Sequence, residues 1–136
     1  MKRVTGIGGI FFKCERPQEV LEWYHEHLGI SPVGECGIFE WVQKDSPGEI
    51  GHTAWGPFER ETRYFRPSQK DFMINYRVEN LEALIGQLRE EGIEVVGEIE
   101  EYEYGKFGWI MDPEGNKIEL WEPIDSGFRK VNRLDR

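Results

Sequence analysis

Residues 109–123, WIMDPEGNKIELWEP, place a single carboxylate between apolar neighbours in a strand. The run reads as a strand, a tight turn (Asp112-Pro113-Glu114-Gly115-Asn116) and a second strand, because Pro and Gly punctuate two apolar segments. Alternation puts Ile118 and Leu120 on one face and Lys117, Glu119 and Trp121 on the other. With the aliphatic face turned to the core, Glu119 points into whatever the sheet encloses. A carboxylate there can hold a metal ion, accept a proton as a general base, or pair with Arg77 on an adjacent strand.

The other reactive residue types are sparse. His25 and His27, in YHEH, stand two apart on a helical pattern, so they face different ways and cannot jointly ligate one ion. They read as surface residues of a last helical turn, where they favour the dipole. His52 and Thr53 are neighbours on a strand, and alternation sends them to opposite faces. Cys14 and Cys36 are too few for a disulfide framework or a zinc cluster, and Cys14 reads as packing. No Ser-His-Asp pattern, phosphate loop or paired catalytic cysteine is present, and GIGG near the start lacks the spacing of a dinucleotide fingerprint.

The elements that must position these residues come in two similar sets. GIGGIFFKC predicts a strand, and PQEVLEWYHEHLG a helix with Val20, Leu21, Tyr24 and Leu28 at helical spacing, Pro17 in its first turn and Gly29 at its stop. GIFEWVQ and GHTAWGPF predict two strands around the turn residues KDSPGE. The order then recurs. FMINYRV is a strand and Asn80 a helix cap. Leu81, Leu84, Ile85 and Leu88 make an apolar stripe, and Gly92 ends the helix. Gly86 inside that helix costs about 1 kcal/mol relative to Ala, which predicts a packing reason for it. VVGEIEEYEY, KFGWIMD and NKIELWE supply three more strands.

Single residues repeat as well: HLGI (27–30) against EEGI (90–93), FEW (39–41) against FGW (107–109), TAWGP (53–57) against ELWEP (119–123). The offsets are 63, 68 and 66, and their ordered similarity predicts two β-α-β-β-β modules. The modules are predicted over 4–58 and 71–123, joined by the polar connector 59–70 (ERETRYFRPSQK) and followed by the tail 124–136.

A chain of 136 residues with 38% hydrophobic and 13% aromatic content can bury one domain-sized core. Its 26 acidic against 17 basic residues give a net charge of −9, which would repel phosphate backbones and argues against nucleic acid as a partner. No apolar run is long enough for a membrane span, and the N-terminus lacks a signal-peptide pattern, so a cytoplasmic location is the expectation. EIEEYEY (98–104) reads as the solvated face of an edge strand.

Paired modules of this order, closing on FGWIMDPEGNKIELWEP (107–123), resemble the vicinal oxygen chelate superfamily, which includes glyoxalase I, extradiol dioxygenases, fosfomycin-resistance enzymes and bleomycin-resistance proteins. The likeness covers about Val4 to Pro123. It implies an α+β fold in which curved mixed sheets of two modules surround a shared cleft, and frequent homodimerisation. It further implies four metal-ligand positions, one each on the first and last strand of each module. The resemblance carries these positions onto Gly9, onto Thr53 or His52, onto Met73 and onto Glu119. Glycine has no donor and a thioether suits soft metals, so no metal is expected; if one binds, Glu119 and His52 would hold it.

Without a metal, alternation around the modules gives an aromatic cleft. Phe11 shares the face of Gly9, Asn75 that of Met73, Trp55 that of Thr53 and Trp121 that of Glu119, with Phe39, Trp41, Phe107 and Trp109 facing the same space. Such a lining favours flat aromatic ligands or cations, although each ring can equally be core. The leading expectation is metal-independent binding of a small molecule, in the manner of bleomycin-resistance proteins, with Glu119 as the one candidate catalytic residue. The alternatives are a lyase, isomerase or dioxygenase using a divalent metal (zinc, nickel, manganese or iron) on relocated ligands, and a protein-interaction or regulatory module.

Overall fold

The protein is described by a computed structural model over residues 2–134. Its first module consists of β1 (Val4–Cys14), α1 (Pro17–Leu28), the short β2 (Pro32–Val33), β3 (Cys36–Val42) and β4 (Ile50–Glu59). The second consists of β5 (Phe72–Val78), α2 (Leu81–Glu90), β6 (Val95–Tyr102), β7 (Gly105–Met111) and β8 (Lys117–Pro123), and a last helix, α3 (Asp125–Val131), follows. All eight strands form one curved, open mixed sheet in the order β2-β3-β4-β1-β5-β8-β7-β6. The fold is therefore α+β, with the two repeats joined by the antiparallel β1–β5 pair.

Local chemistry explains the helix limits. Pro17 opens α1, where its missing N–H costs nothing, and Gly29 closes it in the left-handed region at φ 71°. Asn80 caps α2 by accepting from the Ala83 N–H at 3.1 Å. Gly86, by contrast, is exposed, with no atom within 4 Å of where a Cβ would stand. The packing reason expected for it is not there.

The helices α1 and α2 each cover the convex face of their own module. Leu81, Leu84 and Ile85 of α2 pack on Val78, Ile110 and Leu120, with Ile118 beside them. Tyr24 of α1 packs on Phe12 and Trp55. The opposite, concave face carries Met73, Asn75, Arg77, Lys117, Glu119, Trp121 and Trp109, most of them buried. They are buried because the chain itself fills the concavity. The connector lays Phe65, 0% exposed, over Met73 and Trp109, and α3 lays Phe128 against Trp121 and His52. The acidic run 98–104 lies on the end of β6, at the edge of the sheet, and on the turn after it, with its glutamates exposed.

Candidate functional site

Ladder register fixes which residues stand where the two modules present equivalent positions. β1 and β5 cross about the Ile10–Ile74 pair, with Gly9 opposite Asn75 and Phe11 opposite Met73, so Gly9 is equivalent to Met73 and Phe11 to Asn75. In the parallel pairs, Phe11 adjoins Gly56 and Asn75 adjoins Glu119. The position equivalent to Glu119 in the first module is therefore Gly56, neither His52 nor Thr53. The four positions are Gly9, Gly56, Met73 and Glu119, of which only the last offers a hard donor.

Glu119 is 3% exposed and fully engaged. One oxygen accepts from Asn75 Nδ2 at 2.7 Å. The other accepts from Trp109 Nε1 at 2.9 Å and from the Tyr64 hydroxyl. Lys117, two residues earlier on the same face, donates to the Tyr64 carbonyl at 2.8 Å and sits over the Tyr64 and Trp109 rings. Burial pulls the Lys117 ammonium below its usual range, opposed by the charge of Glu119. Burial and then that same carboxylate hold the Tyr64 phenol well above its usual range.

Space for this cluster comes from a bulge in β1. The register shifts between Ile7 and Gly9, and a Cβ on Gly8 would stand 2.1 Å from Asn75 Oδ1. That oxygen has no hydrogen-bond partner among the described residues.

His52 belongs to a second cluster. It is 0% exposed, with Nδ1 2.8 Å from Asp125 Oδ1 and Nε2 3.1 Å from an Arg129 nitrogen. A guanidinium only donates, so Nε2 accepts and Nδ1 carries the proton given to Asp125. Arg77 forks onto Asp125 at 3.0 and 2.7 Å instead of pairing with Glu119 as the sequence allowed. Burial would raise the Asp125 carboxyl, but hydrogen bonds from Arg77 and His52 outweigh it and leave the group below its ordinary value.

The expected ligand-lining residues are thus divided among several places. Met73, Asn75, Trp109 and Glu119 come together under Tyr64 and Phe65. Phe107 stacks on Trp121 at 5.7 Å beside α3. Trp41 donates to Thr53 at 2.9 Å and meets Arg77, not Glu119. Phe39, paired with Thr53, is 47% exposed. Trp55 lies on the convex side against Phe12 and Tyr24, which corrects its assignment to the cleft. The reason is the register: His52 and Phe58 take the concave face of β4, so Thr53 and Trp55 alternate away from it. Tyr64, Phe65, Phe58 and Asp125 were not foreseen. The adjacent aromatics of the connector, in an otherwise polar segment, are the signal that could have found the first two.

Only Phe11 of that expected lining borders the large open cavity. This space, about 770 Å³, is walled by Phe11, Phe58, Leu21, Cys36 and Gly56. Three exposed carboxylates, Glu19, Glu35 and Glu59, also line it, with Arg16 paired to Glu19 at 3.2 Å.

A family profile described as a glyoxalase-like domain matches residues 9–121. The chain belongs to the glyoxalase-like family. Its structural neighbours agree with the vicinal oxygen chelate superfamily. Methylmalonyl-CoA epimerase from Mycobacterium tuberculosis is 22% identical, with a TM-score of 0.60 over 90% of this chain and 91% of that one. Streptomyces coelicolor methylmalonyl-CoA epimerase in complex with 2-nitronate-propionyl-CoA is 17% identical, with a TM-score of 0.64 over 89% and 99%. The Mn(II)-bound glyoxalase from Novosphingobium aromaticivorans is 18% identical, with a TM-score of 0.60 over 90% of this chain and 40% of that chain. At these identities the likeness establishes the fold. A search of curated proteins finds no match.

The family implies a metal, and the donors of this glyoxalase-like chain do not fit one. Among the described residues no three His, Cys, Asp or Glu side chains converge as a cation site. Glu119 and His52 are committed to separate clusters, the first to three uncharged donors and the second to Asp125 and Arg129.

Proposed function

We propose that this glyoxalase-like protein binds an aromatic or cationic small molecule without a metal, in the cavity of the first module. The carrying observation is Gly56. It stands where the second module has Glu119, and, packed under Cys36 and Glu35, it lines the cavity without a donor beside the contacting rings of Phe11 and Phe58. The cavity volume of about 770 Å³ falls in the range of ligand pockets. Aromatic walls supply stacking and ring faces for a cation. Three carboxylates against one guanidinium add a negative bias. Glu119 serves in this reading to hold the connector down, not to touch the ligand.

Titration with 9-aminoacridine, an aromatic cation, and with uncharged acridine tests this. Saturable binding of the cation is expected, weaker binding of the neutral ring, and a loss of about tenfold in Phe11→Leu or Glu35→Gln. Binding lost instead in Glu119→Gln, with Phe11→Leu unaffected, would overturn the location.

The second reading is a metal-dependent lyase or isomerase. It is favoured by the neighbours, which include epimerases and a Mn(II)-bound glyoxalase. Elemental analysis after incubation with zinc, nickel, manganese and iron separates the two readings. One ion retained per chain supports the enzyme, and none supports the binder.

We also infer a homodimer built on the convex side of the β1–β5 pair. Val4, Ile7, Ile10 and Phe72 lie there between the two helices, each 40–51% exposed. Sedimentation should give a dimer mass that falls to a monomer in Ile7→Asp/Ile10→Asp.

A further inference from the structure

Arg77 is a buried cation on a strand, 3% exposed, and its surroundings are built to receive a carboxylate. Its guanidinium lies 5.0 Å from the Trp41 ring and 5.3 Å from the Trp121 ring, and one nitrogen donates to the His52 carbonyl at 3.3 Å. These contacts come from β3, β8 and β4, and none depends on α3. They orient the fork and leave two N–H groups pointing together. The His52 Nδ1–H points to the same place; its tautomer is set by Arg129 of α3 at the other ring nitrogen, so this donor, unlike the Arg77 fork, is tied to the helix. These three convergent donors, with a longer fourth from Gln43 Nε2 at 3.4 Å, match the two oxygens of a carboxylate. A buried guanidinium without an anion is strongly destabilising, so the position demands one.

The group that fills it is Asp125, and its origin differs from that of the receptor. The receptor stands on four strands of the sheet, β3, β4, β5 and β8, whereas Asp125 opens the seven-residue helix that follows β8. A helix that short is held only by its tertiary contacts. Asp125 remains 20% exposed. It also borders a separate cavity of about 340 Å³, walled by Lys2, Thr5, Trp41, Gln43 and Arg77. A small molecule can therefore reach the pair from solvent.

We infer that Arg77 and His52 form a binding site for the carboxylate group of a small molecule, and that Asp125 of α3 occupies it as an intramolecular competitor. The site lies apart from the cavity of the first module and does not rest on the function proposed for that cavity. A ligand must displace a tethered carboxylate whose effective concentration is in the millimolar range, on the order of 1–10 mM. Removing Asp125 therefore increases the affinity for free carboxylates while lowering the stability of the empty protein.

The test uses the full chain carrying Asp125→Ala, with formate and acetate as probes and chloride and acetamide as controls. Saturable rises in melting temperature are expected with the two carboxylates only, about 4 °C at ten times half-saturation. The wild type should respond at least about tenfold more weakly, and Asp125→Ala/Arg77→Gln should not respond at all. Indole N–H resonances of Trp41 and Trp121 should shift along the same binding curve. Asp125→Asn, which keeps the shape, covers a failure of the alanine variant to fold. A variant that folds on adding acetate but not chloride supports the site equally. Folded variants without a carboxylate-specific response, equal responses in wild type and variant, or variants that stay unfolded in every salt would overturn it.

Discussion

The phenolic hydroxyl of Tyr64 donates to the carboxylate of Glu119, 55 positions away in sequence, and closes the connector over the second module. The Tyr64 ring remains 41% exposed while Glu119 beneath it is 3% exposed, so the residue acts as a cover with one polar anchor. Its sequel is a titration. Burial and the Glu119 charge raise the folded-state pKa of this phenol above its unfolded value. Stability from the contact is therefore complete below about pH 10 and lost as pH rises beyond it. Absorbance at alkaline pH should show one of the five tyrosines ionising only as the chain unfolds. Tyr64→Phe should be less stable at neutral pH and lose less on going alkaline. A parallel decline in both proteins would dismiss the linkage.

Glu119 accepts three hydrogen bonds, so replacing it by Gln turns one of two acceptor oxygens into a donor facing other donors. Glu119→Gln should cost about 1.5–3 kcal/mol by chemical denaturation. Metal content after loading should not change, since among the described residues no three His, Cys, Asp or Glu side chains converge on this oxygen pair. A loaded ion that disappears in this variant would restore the metal reading.

Periodicity and punctuation revealed the fold because they are local. Gly29, Asn80 and the DPEGN turn mark element ends through their own backbone chemistry, and the repeated order of apolar segments gave both modules. Glu119 was legible for the same reason, as a charge on the face opposite Ile118 and Leu120. Its partners were only half legible. Asn75 follows from alternation, but Tyr64 sits in an irregular connector whose path no period describes. Trp55 was misplaced because the Trp-X-Pro likeness to Trp121 suggested the register, whereas the ladder sets Gly56 against Phe11 and turns Trp55 toward α1. The helical tail was missed since a seven-residue amphipathic stretch is too short to show a period.

Gly86 gives a prediction of opposite sign. It lies in α2, exposed, with ordinary helical geometry and free space around its Cα. Gly86→Ala should stabilise the protein by about 0.5–1 kcal/mol through helix propensity and a less flexible unfolded chain. Unchanged or lowered stability would mean that this face of α2 has a contact the monomer does not show.

Gly8 is the strictest requirement of the concave face. A Cβ there would meet Asn75 Oδ1 at 2.1 Å and Arg77 Cγ and Trp121 Cε3 at 3.0 Å each, side chains that anchor both polar clusters. Gly8→Ala must push Asn75 off Glu119 or shift β1 against β5, at a cost of about 1–3 kcal/mol or more. The first route is testable by a double-mutant cycle. Asn75→Ala removes the obstructing oxygen along with one donor to Glu119, so Gly8→Ala should cost at least about 1 kcal/mol less in that background than in the wild type. Additive effects would place the strain on Arg77 and Trp121 instead.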